Sequence, residues 1–244
     1  MESTANKMAL HRMQAIRETM GMSVTKAGSL RERQKKRRAT QVLDSASLLF
    51  ARDGYDATGI EDIARHADVA PATVYNYFAT KPNLLMSLAL RHVHAVLPER
   101  RAFLQNLPDD HFDGIRTFER LLAEQALRHL SRECWRVILS AQFLDPGGRA
   151  SRTGARLNNL IKLQYIRMLR TYQARGRLHA FVDPIALSEL IVGITTTDFA
   201  RYVSTSQGTI EDLLGMGLPH IQLILAGLGP SSEHVPQHPG RNLE

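Results

Sequence analysis

Residues 58–81, TGIEDIARHADVAPATVYNYFATK, decide how this chain folds. Thr58 is placed to cap a helix whose third residue is Glu61, a pairing that satisfies two backbone donors at the helix start. Ile60, Ile63 and Ala64 then share one face. After Ala67 and Asp68 the chain must turn, because Pro71 suits the first position of a second helix, where its missing N–H is not needed. Val69, Val74 and Phe78 supply the buried side of that helix. Thr73, Asn76 and Tyr77 are left outward, with side chains short or flat enough to enter a DNA major groove.

Working outward, the spacing predicts an amphipathic helix over about 40–53, with Val42, Ala46, Leu49 and Phe50 on its inner face. Gly54 follows where a left-handed residue commonly ends a helix. The linked string is then Thr58 with Glu61, Asp62-Ile63-Ala64, Thr73-Val74-Tyr75, Tyr77-Phe78 and Lys81. In this order and spacing it resembles the helix-turn-helix of the tetracycline-repressor (TetR) family of bacterial transcription regulators. The resemblance extends through roughly the first 95 residues. Asp68 and Ala70 stand where the family usually has glycine in the turn and a hydroxyl cap. Asp68 tolerates a left-handed backbone, whereas Ala70 lacks a capping oxygen, a loss of about 1 kcal/mol at the helix end.

The resemblance implies an all-α fold. It would comprise a three-helix DNA-binding unit over 34–81 and a helical effector-binding and dimerisation domain over 82–228. A flexible extension (1–33) and a disordered tail (229–244) would flank them. It also implies roles. Lys81 grips a DNA phosphate, Thr73 and Tyr75 donate hydroxyls to phosphates, and Thr58 presents backbone N–H groups to one. Pro71, Ala72, Asn76 and Tyr77 face base edges; Asn76 suits adenine and Ala72 a thymine methyl.

Composition agrees. The 244 residues carry a formal charge of +7, and most of it is concentrated early. Lys26, Arg31, Arg33, Lys35, Lys36, Arg37 and Arg38 face only Glu32. Ahead of a helix-turn-helix, Lys35, Lys36, Arg37 and Arg38 read as a phosphate-binding or minor-groove arm. The single cysteine, Cys134, excludes an internal disulfide and sits in a helical pattern as a small buried side chain. The N-terminus has no apolar signal-like run. Residues 213–232 contain no charged side chain, but Pro219, His220 and Gln222 interrupt them, so a buried interface helix fits better than a membrane span. A cytoplasmic protein with no membrane partner is the expectation.

Beyond Lys81 the pattern is helical throughout. Pro82 opens a helix expected to stop near Pro98. Others run over 112–130, around Trp135 to 145–148, from Leu157 to Gly176, from Asp183-Pro184 to about Thr205, and from Thr209 to about Leu228. In the family the last two helices pair with their copies in a second subunit. By position Leu187, Leu190, Ile191, Ile194, Ile221, Ile224, Leu225 and Leu228 would form that interface, although the same pattern fits the domain's own core. Phe103, Phe118, Trp135, Phe143, Tyr165, Met168, Tyr172 and Phe199 are the candidate effector-pocket residues, and plain core is the competing reading.

No cofactor is implied. His92 and His94 face different ways on a helix, and His129 with Glu133 lacks further ligands, so no metal site is expected. Nothing resembles G-x-S-x-G, H-E-x-x-H, a phosphate loop or C-x-x-C. The implied function is a DNA-binding regulator, most often a repressor, that binds a near-palindromic operator as a homodimer and is released by a small-molecule effector. An effector-independent regulator is the alternative, and an enzyme on a helical scaffold is the remote one.

Overall fold

A computed structural model describes residues 30–144 and 146–226 of the chain. Among them the secondary structure is helical, in the order α1 (Leu30–Asp53), α2 (Ile60–His66), α3 (Pro71–Phe78), α4 (Lys81–Gln105), α5 (His111–His129), α6 (Arg132–Leu144), α7 (Arg149–Ala174), α8 (Pro184–Ser204) and α9 (Ile210–Ala226). The all-α expectation is met. None of these helices is long and apolar enough to cross a membrane.

The first three helices pack around Val42, Ala46, Leu49 and Phe50 of α1, Ile63 and Ala64 of α2, and Val74 and Phe78 of α3. Leu84, Leu85 and Leu88 of α4 close the same cluster, which continues without a break into Leu130, Cys134 and Ile138. The helix-turn-helix unit therefore shares its core with α4 and α6. A second cluster joins Ile115 and Phe118 of α5, Tyr165, Met168, Leu169 and Tyr172 of α7, Leu187 and Ile191 of α8, and Ile221 and Leu225 of α9. Helix α7 lies centrally, against α4, α6 and α8, while α9 covers α5 and α8.

Three boundaries differ from the sequence reading. Helix α1 begins at Leu30 rather than near Thr40. Residues 32–38 are exposed on every side, so good helix formers rather than packing extend it. The basic segment is thus the first turns of a helix, not an arm. Helix α4 passes through Pro98 instead of stopping there. Proline inside a helix costs about 3 kcal/mol, but Pro98 itself is exposed while Val96, Arg100 and Leu104 are buried and hold the helix on both sides. The third difference is at α2, where the cap shifts by one residue, as described below.

Where α5 crosses α7, Gly114 accepts the ring of Tyr172. A Cβ on Gly114 would lie 2.8 Å from Tyr172 Cζ and closer still to the hydroxyl, which donates to the Pro108 carbonyl at 3.1 Å. Gly114→Ala should therefore destabilise the fold by about 1–3 kcal/mol through overpacking, despite alanine's better helix propensity. Adding Tyr172→Phe should recover part of the loss, as read from urea denaturation midpoints.

Candidate functional site

The α1–α2 junction positions the helix-turn-helix. Thr58 is 2% exposed, and its hydroxyl donates to the Gly54 carbonyl at 2.7 Å while its N–H goes to the Tyr55 carbonyl at 3.3 Å. It therefore faces inward with its N–H occupied, and the expected cap and phosphate role at Thr58 are corrected. Gly59 is the N-cap residue, and the Asp62 carboxylate, not Glu61, reaches back to the Gly59 N–H at 3.1 Å. The shift follows from the Thr58 hydroxyl being used to close the preceding turn.

The turn between α2 and α3 places Asp68 at φ +51°, the left-handed backbone its side chain tolerates. Ala70 caps α3 with no side-chain hydrogen bond, and Pro71 opens the helix. Val74 and Phe78 are buried. Pro71, Ala72, Tyr75 and Asn76 are exposed, and Thr73 is half-buried. Tyr77 departs from the sequence reading: it is half-buried, packs on the core, and meets Phe78 edge-on at 6.2 Å. The outward surface of α3 is thus Pro71, Ala72, Tyr75 and Asn76, with Thr73 at its margin.

Lys81 begins α4 after the Thr80 cap, whose hydroxyl accepts the Asn83 N–H. Its ammonium lies 4.2 Å above the Tyr55 ring and 3.4 Å from the Asp56 carbonyl. Two of its three N–H donors stay free of that bond. Lys35, Lys36, Arg37 and Arg38 are exposed on α1. Sequence reasoning missed Arg149, which donates to the Tyr77 carbonyl at 3.2 Å and brings a cation from α7 to the end of α3. No local motif marks it, because the contact spans 72 residues.

It also missed the role of Glu133. From α6, its two carboxylate oxygens accept the N–H groups of Tyr55 at 3.0 Å and Asp56 at 2.7 Å. Burial opposes the charge, but the Asp56 and Tyr55 N–H groups outweigh it and hold the carboxyl below its ordinary range. Gly54 beside it packs so closely that a Cβ would come within 3.1 Å of Glu133 Oε2. Two residues on, Trp135 donates its indole N–H to the Ala126 carbonyl at 2.9 Å.

Trp135 lines a cavity of about 150 Å³ to which helices α4 to α9 all contribute side chains. Of the eight large residues read as pocket candidates, Trp135 and Phe199 line it, meeting edge-on at 5.3 Å. Phe118, Tyr165, Met168 and Tyr172 are instead wholly buried in the second core. Phe103 stacks on Phe118 at 5.6 Å, and the Phe143 side chain lies outside the described residues. Large flat side chains fill space between helices, so smaller ones form the wall: Val93, Val96, Leu122, Ala126, Ile161 and Val192. The wall also carries Arg100, Glu119, His92 and Asp198. Among the described residues no cluster of three metal-ligating side chains occurs.

The expected subunit interface needs correcting in part. Leu187, Ile191, Ile221 and Leu225 are at most 5% exposed within one chain; they face α5 and α7 and are core. Ile194 and Ile224 are half-buried, and Leu228 lies outside the described residues. Only Leu190 points outward. Ala186, Gly193 and Thr197 share its face of α8, and Gly215, Pro219 and Leu223 are exposed on α9. A Cβ on Gly193 or Gly215 would meet nothing, whereas Gly217 packs on Asp198.

This geometry can be set beside known proteins. Residues 42–88, which span the inner part of α1, the helix-turn-helix and the start of α4, match the family described as bacterial regulatory proteins, tetR family. Over this stretch the chain is similar to the TetR family. It is 36% identical over 61 residues to the HTH-type transcriptional repressor KstR of Rhodococcus jostii (strain RHA1), a match covering 25% of this chain and 29% of that protein. The chain thus spans about three-tenths of the length of such curated relatives. Similarity to the HTH-type transcriptional regulator UidR of Escherichia coli (strain K12) is lower, 20%, but covers 69% of this chain and 87% of UidR. Among solved structures, the Thermus thermophilus TetR-family repressor FadR, in complex with lauroyl-CoA, superposes with a TM-score of 0.64. That match, at 19% identity, covers 83% of this chain and all of FadR, and establishes the common fold.

The buried acid in the cavity wall gives a pH signature. Burial pushes the Glu119 carboxyl up to about 7 from its ordinary 4.5, with Asp198 adding to the rise and the Tyr165 and Thr195 hydroxyls opposing it. An acid whose folded value is raised contributes stability that is complete below about pH 4.5 and lost as pH rises through about 7. Glu119→Gln should flatten the stability profile over that interval. Denaturation midpoints at pH 5, 6 and 7 in wild type and variant measure it.

Proposed function

We propose that this protein is a transcription regulator that binds a near-palindromic DNA operator as a homodimer and is released by a small molecule held in the cavity. The observation that carries the reading is the position of α4. Its first turns pack in the core of the helix-turn-helix unit through Leu84, Leu85 and Leu88, and its next turns line the cavity through Ala89, His92, Val93 and Val96. One rigid rod therefore touches both sites. The Thermus FadR, of the same fold, was solved with lauroyl-CoA, which supports reading the cavity as a ligand site. KstR is named a repressor, which supports repression as the direction of control.

In this reading Asn76 and Ala72 reach base edges, Tyr75 and Thr73 offer hydroxyls to phosphates, and Lys81 adds a charge at the helix edge. Lys35, Lys36, Arg37 and Arg38, on the exposed turns of α1, add to the salt-dependent part of binding. A dimer would place two α3 helices about one DNA turn apart, roughly 34–36 Å. The exposed small and apolar face of Leu190, Gly193, Gly215, Pro219 and Leu223 is the surface through which we propose the subunits meet. A ligand that favours a differently spaced dimer then weakens simultaneous insertion. A hundredfold change in operator affinity needs about 2.7 kcal/mol of coupling.

Two substitutions separate the roles on the DNA face. Lys81→Ala should weaken binding about equally on all sequences and reduce the salt slope by roughly one counterion. Asn76→Ala should cost about 1–3 kcal/mol on the operator and relax preference at one base pair of each half-site. Titrations by fluorescence anisotropy on operator and scrambled DNA, at several salt concentrations, measure both. Unchanged operator affinity in both variants would overturn the assignment of α3.

A further inference from the structure

A second concavity lies apart from the cavity described above. This groove, of about 510 Å³, is lined by α4 and α7, which pack directly on each other, and by Leu43 of α1. Helix α4 supplies Arg91 and His94, and helix α7 supplies Arg149, Arg152 and Arg156. Among the described residues no carboxylate lines it.

One of the four arginines is answered by a charge, since Arg91 donates to Asp44 at 2.6 Å. Arg149 donates to the Tyr77 carbonyl at 3.2 Å and Arg152 to the Gly147 carbonyl, both neutral acceptors. Arg156 has no hydrogen-bond or ion-pair partner among the described residues. Three guanidiniums thus share one groove with no counter-charge among the described residues. Their spacing, i, i+3 and i+7, puts them on one side of α7. Like charges so spaced repel. Arg149 and Arg152 also stand at the start of α7, the positive end of its dipole, where the first turn carries no acid. Burial recovers none of this cost, because all three side chains are exposed. An anion in the groove would offset it.

Shape and donors narrow the occupant. Ser87 and Thr153 also line the groove, but their hydroxyls already donate to the Asn83 and Arg149 carbonyls at 2.8 and 2.9 Å. The free donors are therefore guanidinium N–H groups, set in planar forks that match phosphate oxygens. From Arg149 to Arg156 the row covers seven residues of helix rise, roughly 10 Å. One phosphate cannot meet all three forks, whereas a chain of phosphates can. No Phe, Tyr or Trp lines the groove, so a nucleotide base would lack a stacking partner. Packed helices stand about 8–10 Å apart, and a DNA duplex, whose major groove alone is about 12 Å wide, does not enter between them.

We propose that this groove is an anion site for a linear chain of two or more phosphates, held by Arg149, Arg152 and Arg156. The site is separate from the cavity and stands or falls independently of the regulator reading.

The test uses the full-length protein and tripolyphosphate, with orthophosphate and sodium chloride at matched ionic strength as references. Binding is read by titration calorimetry and by the rise in melting temperature with ligand concentration. Tripolyphosphate should bind at least tenfold more tightly than orthophosphate. Arg152→Gln with Arg156→Gln, two exposed positions, should weaken tripolyphosphate binding at least tenfold. Lys35→Gln with Lys36→Gln removes the same charge from α1 and should change it less than twofold. Equal losses in the two variants, undiminished affinity in the groove variant, equal affinity for orthophosphate, or no binding beyond the sodium chloride reference each overturns the proposal. So does a groove variant that keeps tripolyphosphate affinity but binds the operator more weakly with a smaller salt slope, which would make the groove a DNA-backbone contact.

Discussion

The hydrogen bonds from Tyr55 and Asp56 N–H to the carboxylate of Glu133 tie the helix-turn-helix unit to the rest of the molecule. A single side chain from α6 takes both donors that the chain exposes as it leaves α1. Charge-assisted bonds to backbone N–H groups are among the stronger ones a side chain makes. The same loop receives Lys81 from the start of α4, through the Asp56 carbonyl and the Tyr55 ring. Loop 54–56 is therefore gripped from two sides, by the first residue of α4 and by α6, which lines the cavity.

The core at the helix-turn-helix end is continuous with the same two helices. Leu130, Cys134 and Ile138 complete a cluster begun by Val42 and Leu49, so α6 cannot shift without disturbing packing beneath α2 and α3. Helix α6 also presents Trp135 and Leu139 to the cavity, and Ile138 borders both. Packed interiors resist gradual deformation and move between discrete arrangements. In the proposed reading a change in cavity filling would be passed on as a displacement of α6 and α4 together, since both reach the α1–α2 loop.

Much of the fold was legible because its signals are local. Pro71 at the start of α3, Asp68 in the left-handed turn, Asp183-Pro184 opening α8 and Gly176 ending α7 are each fixed by a few neighbouring residues. What the sequence concealed depends on distance in space. Tyr165, Met168 and Tyr172 look like pocket residues, but the periodicity that puts them on one face does not say whether that face meets a void or another helix. Leu187, Ile191, Ile221 and Leu225 raised the same ambiguity between interface and core, and their burial resolves it. Thr58 misled by one residue for a local reason, because its hydroxyl closes the turn back to Gly54, four residues earlier, and leaves the cap to Gly59. Glu133 and Arg149 gave no signal, because their partners lie 78 and 72 residues away.

The central claim is that the cavity and the DNA-binding unit are coupled through the loop that Glu133 holds. Amide hydrogen exchange at Tyr55 and Asp56 tests it most directly, compared between the wild type and Leu122→Trp, which fills the cavity from α5 far from the loop. Coupling predicts faster exchange at these two amides in the variant, together with weaker operator binding. Wild-type protection of both amides, with altered exchange confined to α5, α8 and α9, would contradict it.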